Sequence, residues 1–285
     1  MKKLTIPLGI FVTCIIVFLM VTTFSACVKT KTITIHDTTT KILTDTINTC
    51  GCAKNLTNGL IAYYNFNGGS LADSSGYGNN IIFSSATPTA DRFGNPNSAY
   101  LFDGASSYMR VSDSASLTPD SAITMMAIFK LNGYYMGNCS GNQIFGKENA
   151  DYTDGLYCFR VSNLGSCGGP IDTSKENIYG AFGDYTTGNN TGSSTNNSYY
   201  IKTGIWYNVV YTYASDTSKT YINGVLIGIN VQHGSIAADN GQDLLIGRLA
   251  DNNFPYYFNG VLDEVRIYNR AICATEVTQL NNLNN

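Results

Sequence analysis

From residue 60 onward the chain repeats one pattern: a short run rich in Val, Ile, Leu, Tyr or Phe, then a cluster of Gly, Asn or Asp. Short runs separated by turn residues force frequent chain reversal, which is the signature of an antiparallel sandwich or barrel. The runs fall at 60–66, 99–103, 108–111, 122–131, 142–147 and 155–161, then at 177–183, 206–213, 219–228, 243–249 and 258–269. Asn223-Gly224 lies between Thr220-Tyr221-Ile222 and Val225-Leu226-Ile227. Both central residues tolerate positive φ, so the pair predicts a type I′ hairpin. Val209, Tyr211 and Tyr213 share one side of a strand, as a sandwich with an inward face requires. Only 274–283, with Val277, Leu280 and Leu283, has helical spacing. No Pro/Gly-rich break divides the remainder, so 59–285 reads as one all-β domain closed by a short C-terminal helix.

The N-terminus has a different character. Lys2 and Lys3 precede an almost unbroken apolar run from Leu4 to Phe24, followed by Ser25-Ala26-Cys27. A basic start, an apolar stretch and small residues describe an export signal over 1–26. Phe24-Ser25-Ala26-Cys27 resembles a lipobox, which makes Cys27 the expected lipidation site. Val28 follows where Asp would favour inner-membrane retention, so the expected location is the outer membrane, at the cell surface. The alternative is an uncleaved signal anchor, since the run is long enough to span a bilayer. Residues 27–58 are Thr-rich and read as a stalk, with His36 a solvated linker residue.

Charged residues make up 13% of the chain and the formal net charge is −3. That excludes the basic footprint of a nucleic-acid binder. After Cys14 and Cys27, six cysteines remain: Cys50, Cys52, Cys139, Cys158, Cys167 and Cys273. They have no zinc-site spacing, and His36 and His233 are the only histidines. In an oxidising compartment disulfides are expected among them. Cys139 and Cys167 bracket a loop-rich segment and are expected to pair. Cys158, mid-strand in Tyr157-Cys158-Phe159, is expected to remain a buried free thiol.

Four blocks resemble a laminin-G-like jelly-roll domain of the concanavalin A-like lectin/glucanase superfamily. They are Gly59-Leu60-Ile61-Ala62-Tyr63-Tyr64-Asn65-Phe66 with Asp73-Ser74-Ser75-Gly76-Tyr77-Gly78-Asn79; Asp91-Arg92-Phe93-Gly94 with Ala99-Tyr100-Leu101-Phe102-Asp103-Gly104; Trp206-Tyr207-Asn208-Val209-Val210 with Tyr221-Ile222-Asn223-Gly224; and Phe258 to Ala271. The resemblance covers about 59–283 and is silent on 132–200, an elaboration. It implies a two-sheet antiparallel jelly-roll sandwich whose first and last strands are neighbours. Trp206 is then expected in the core and not as a sugar platform. The resemblance also implies a structural Ca²⁺, with Asp73, Asn79 and Asp263 as expected ligands. If the first and last strands adjoin, Cys273 comes close to Cys52 or Cys50. A disulfide from Cys273 to Cys52, or alternatively Cys50, is expected. Cys273 stands where relatives carry a capping-box Ser, and sulfur is a poor acceptor there.

Some superfamily members are glycosidases, which normally need two carboxylates about 5–10 Å apart. Their E-x-D-x-x-E strand is missing: the four glutamates are Glu148, Glu176, Glu264 and Glu276. Adjacent Asp263 and Glu264 point to opposite faces of a strand. The expectation is a non-catalytic binding module, most simply for glycans, with a protein-adhesion or assembly scaffold as the alternative and a glycoside hydrolase as the remote one. Sugars stack on aromatics and bind Asn/Asp through hydroxyls. The candidate residues are Tyr134, Tyr135, Asp151, Tyr152, Asp184, Tyr185, Asn189, Tyr199 and Tyr200 in the elaboration, and Asp251, Asn252, Tyr256 and Tyr257 before the last strand.

Overall fold

The alternating runs form two antiparallel sheets. A computed structural model of the chain describes residues 55–148, 155–183, 193–194, 199–231, 236 and 241–283. The strands are β1 (Leu60–Tyr64), β2 (Ile81–Ser84), β3 (Thr87–Thr89), β4 (Ala99–Asp103), β5 (Met109–Val111), β6 (Ala122–Leu131), β7 (Asn142–Glu148) and β8 (Gly155–Ser162). They continue as β9 (Asn177–Gly183), β10 (Ser193–Ser194), β11 (Trp206–Ala214), β12 (Thr217–Ile222), β13 (Val225–Val231), β14 (Leu244–Ile246) and β15 (Asn259–Tyr268), before helix α1 (Ala274–Leu283). One sheet runs β13-β12-β11-β6-β15-β4-β3, with β1 also on β15; the other runs β10-β9-β8-β7-β14-β5-β2. This is the two-sheet sandwich with a short C-terminal helix that the sequence implies. Its first and last strands are neighbours, pairing from Leu60↔Tyr268 to Tyr64↔Val265.

The hairpin turns at Asn223 (φ 49°) and Gly224 (φ 78°), both in the left-handed region the turn needs. It divides the single run 219–228 into β12 and β13. Strands β2, β3 and β10 correspond to no sequence run. The first two are largely exposed edge segments, and β3 contains Pro88, so neither carries an apolar alternation.

Val209, Tyr211 and Tyr213 do face inward and join Phe102, Phe129 and Ile267 against Phe145, Phe159, Ile178 and Phe182 of the other sheet. The Phe182 and Tyr213 rings, one from each sheet, lie 3.8 Å apart between centroids. A second core lies on the outer face of the larger sheet, where Leu60, Met126, Ile128, Val210 and Tyr268 are covered by Ile272, Val277 and Leu280. Burying Val277 and Leu280 contributes about 2 kcal/mol each. Helix α1, at ten residues, needs them, because isolated helices under roughly 12–15 residues are marginal. Trp206 does not enter the inter-sheet core. It is partly buried at the margin of this second core, with the Lys130 ammonium 5.2 Å from its ring centroid.

Candidate functional site

One end of the sandwich collects the loops 132–141, 163–176, 199–205 and 247–258. The register places them there: Lys130 pairs with Trp206, Leu131 with Gly260, Val161 with Asn142 and Ser162 with Asn177. Hydrogen bonds then join loop to loop. Ile201 N donates to Glu176 O at 2.8 Å, and Gln143 N donates to Tyr256 O at 2.8 Å. The Tyr134 hydroxyl donates to Ile201 O at 2.8 Å.

A disulfide and a set of amide side chains stiffen this end. Cys139 and Cys167 are joined, with Cα atoms 4.1 Å apart. Cys139 O accepts from Asn163 N and from the Ser162 hydroxyl. Asn163 Nδ2 donates to Asp172 O at 2.6 Å, and Tyr135 N donates to Asn142 Oδ1 at 2.9 Å. The Tyr135 and Tyr256 rings meet edge-on with centroids 5.6 Å apart. Tyr256 also covers Gly141, where an added Cβ would come within 2.8 Å of its ring.

Behind Tyr256, the outer face of the smaller sheet carries a polar cluster that the sequence did not single out. The Arg160 guanidinium carbon lies 4.8 Å from the Tyr179 ring centroid and 5.3 Å from that of Tyr256. Gln143 Nε2 donates to Glu148 Oε1 at 2.7 Å. Burial pushes the Glu148 carboxyl above the usual carboxylate range, against the pull of Arg160 and Gln143. Burial likewise drives the Cys158 thiol far up, which makes this free, buried cysteine a poor nucleophile.

The open part of the same end is a pocket of about 410 Å³ lined by Tyr199, Tyr200, Lys202, Ile205 and Tyr207. Tyr199 and Tyr200 are 39% and 36% exposed. Tyr199 packs edge-on against Tyr207, whose hydroxyl accepts from Lys202 N at 3.1 Å. The sequence pointed to Tyr199 and Tyr200. It missed Lys202, Ile205 and Tyr207, because Tyr207 reads as an ordinary strand residue next to Trp206.

The other candidates divide. Tyr135 and Tyr256, from separate loops, are brought together. Tyr134 is spent on its bond to Ile201. Asp251 is buried and caps its own turn, its Oδ1 accepting from Asn253 N at 2.6 Å. Asn252 is exposed and accepts from Arg248 Nη2 at 3.2 Å, while the Arg248 guanidinium carbon stands 5.4 Å from the Tyr257 ring centroid. Asp151, Tyr152, Asp184, Tyr185 and Asn189 lie outside the described residues. So does Cys27, with the whole signal segment and most of the stalk.

The three side chains expected around calcium are each engaged elsewhere. Asp73 Oδ1 accepts from Tyr63 N and Ser75 N, and its Oδ2 from Asn79 N and the Ser75 hydroxyl. Asn79 Nδ2 donates to Ile61 O and its Oδ1 accepts from Ser116. Asp263 is ion-paired with Arg92. The Asp73 lone pairs are taken up by N–H and O–H donors, whereas calcium asks for six to eight oxygen ligands. Among the described residues no group of three or more His, Cys, Asp and Glu is gathered as a metal site. Cys273 is disulfide-bonded; Cys52 and Cys50, the partners expected for it, lie outside the described residues.

No curated protein matches the chain in sequence. Among solved structures, domain 4 of AbnA, an extracellular GH43 arabinanase from Geobacillus stearothermophilus, in complex with arabinotriose, is 19% identical with a TM-score of 0.55, over 78% of this chain and 98% of that one. The binding domain of Paraclostridial Mosquitocidal Protein 1 is 17% identical with a TM-score of 0.58, over 81% of this chain and 53% of that one. The binding domain of botulinum neurotoxin DC, in complex with rat synaptotagmin II, is 9% identical with a TM-score of 0.59, over 80% and 52%. The chain thus spans about half the length of the toxin domains and nearly all of the arabinanase domain. At these identities the likeness is one of fold. A family model described as the concanavalin A-like lectin/glucanases superfamily matches residues 103–278, most of the sandwich, and the chain belongs to that family.

Proposed function

We propose that the domain is a non-catalytic glycan-binding module, held at the outer membrane surface through lipidated Cys27. The observation that carries the binding reading is the open pocket with Tyr199 and Tyr200 partly exposed over Lys202 and Ile205. Aromatic faces suit pyranose or furanose rings, and the lysine ammonium supplies a donor to sugar hydroxyls or carboxylates. The arabinanase domain of the same fold is known with arabinotriose, which makes arabino-oligosaccharides the first ligands to try. The glutamates support the non-catalytic part of this reading. All four glutamates are buried, and Glu264 and Glu276 are held by Arg266 and Arg270. None of the four faces an open cleft as a hydrolase pair would.

A second reading, a protein-binding or assembly module, has its own observation. Strand β13, at the end of its sheet, exposes Val225 (64%), Leu226 (44%), Ile229 (55%) and Val231 (73%) with no charged residue among them. Apolar edges of this kind attract partner chains. A glycan array probed with the full chain and with Tyr199→Ala/Tyr200→Ala tests the first reading. Glycan binding lost in the double variant supports it. An empty array, or binding indifferent to both substitutions, removes the tyrosine pocket as the site.

A further inference from the structure

We propose that Glu176 is a proton-dependent latch beneath the tyrosine pocket: in its neutral form it lets the 199–202 segment dock, and in its ionised form it loosens that segment. The proposal deepens the binding reading by giving the same pocket a regulation.

Glu176 closes the one-turn 3-10 helix Thr173–Lys175 and precedes β9. Its side chain is fully buried, and neither carboxyl oxygen has a hydrogen-bond partner. The Ser140 hydroxyl, also buried, stands beside it without closing a bond of ordinary geometry, and is a donor that only partly favours the ionised form. A buried carboxylate without donors is among the costliest groups a fold can hold, so such a site selects the neutral acid. Its backbone holds the segment that lines the pocket. Glu176 O receives Ile201 N, and Ile201 O receives the Tyr134 hydroxyl, so the residue following Tyr199 and Tyr200 is clamped on both sides.

Among the described residues no cation answers the charge that ionisation would create. From the 163–176 loop, Asp172 adds a like charge, and Lys175 is paired with Asp172 at 3.7 Å. From the 132–141 loop come Tyr134 and Ser140. From the 199–207 side, Lys202 lines the open pocket, and Tyr207 lies beyond Tyr134. Burial, opposed by Ser140 and reinforced by Asp172, pushes the carboxyl up to about 8.

The sign follows from linkage. The folded acid holds its proton more tightly than the released acid, which has an ordinary value near 4.5. The docked arrangement is therefore fully favoured below that value and is lost as pH rises through about 8. Inside the window each pH unit weakens docking by up to about tenfold.

The test is hydrogen exchange on the full-length chain, corrected for the intrinsic pH dependence of exchange, and it uses no glycan. Peptides covering 199–205 are expected to lose protection by tenfold or more between about pH 6 and 8. Peptides from β6 should remain unchanged. Glu176→Gln, the neutral near-isostere, should keep the protection and flatten its pH profile; Glu176→Leu serves the same purpose if Gln does not fold. A flat wild-type profile overturns the latch, as does a Gln or Leu variant with the wild-type slope. An empty glycan array would remove the pocket's proposed ligand and leave this result standing, so the two readings fail separately.

Discussion

Tyr135 and Tyr256 meet edge to face across the loop end of the sandwich, 5.6 Å between ring centroids, and so tie the elaboration after β6 to the loop before β15. The buried Tyr256 ring offers no open face to a sugar. Tyr256 is 3% exposed and shields Arg160, and Tyr135 is its lateral support. Tyr256→Ala is expected to lower the unfolding free energy by about 3 kcal/mol, as large-to-small changes at buried aromatics do. A double-mutant cycle with Tyr135→Ala should give a coupling of about 1 kcal/mol beyond additivity. Urea denaturation measures both, and additive losses would show that the ring contact contributes nothing of its own.

The Cys139–Cys167 disulfide, with a sequence separation of 28, closes the loop that contains strands β7 and β8. In the chain-entropy model, closing such a loop contributes about 3.5 kcal/mol. Cys139→Ser/Cys167→Ser should lose most of that, with the Tyr135 loop the first to be cut by protease. Cys158 should resist alkylation in the native protein, since its thiol is buried and held protonated. Native labelling at Cys158, or a double Ser variant as stable as the parent, would contradict these assignments.

How much of this was legible in sequence depended on whether a residue's role was local. The strands 99–103, 122–131 and 177–183 agree with the runs to the residue, because β6 and β9 are buried on both faces and so stand out as near-continuous runs bounded by turn residues. Asn223-Gly224 was readable because its requirement, positive φ, is a property of the two residues themselves. The candidate site was legible only in part. Asp251 and Asp73 look like ligands in sequence, and in the fold their carboxylates are spent on nearby N–H groups. Glu176 sits in Asp172-Thr173-Ser174-Lys175-Glu176-Asn177, which reads as a solvated loop. Its burial comes from Ser140 and Tyr134, which no local pattern connects to it.

Asp73 gives a test of metal dependence. Its carboxylate satisfies the backbone N–H groups of Tyr63, Ser75 and Asn79. Asp73→Ala strands three donors at once and should cost about 2 kcal/mol. With the oxygens occupied in this way, chelation should leave the melting temperature unchanged. A clear fall on adding EDTA, reversed by calcium, would restore the calcium site that the family resemblance implies.

Lipid anchoring at Cys27 predicts that Cys27→Ala releases the protein from the membrane fraction or blocks its processing. A full-length, membrane-bound product unaffected by the substitution would favour the uncleaved signal anchor instead.

Helix α1 is fastened at its first turn by Glu276. Arg270 Nη1 donates to Glu276 Oε2 at 2.8 Å and Nη2 donates to Oε1 at 2.7 Å, a bidentate pair. Glu276 Oε2 also accepts from Cys273 N at 3.0 Å, the returning half of a capping box. The glutamate side chain is 1% exposed and the arginine 25%. Glu276→Ala therefore removes a cap and leaves a half-shielded guanidinium without its partner, a loss of about 2 kcal/mol. A ten-residue helix has little to spare, so the loss should appear first as release of α1 and not as global unfolding. Trp206, the chain's only tryptophan, packs at the margin of the core that α1 covers. Its emission should shift to the red at denaturant concentrations where far-ultraviolet circular dichroism still reports an intact sandwich. In the parent protein the two signals should change together. If they also coincide in Glu276→Ala, then α1 is part of the same cooperative unit as the sheets, and the Arg270–Glu276 clasp is not what holds it.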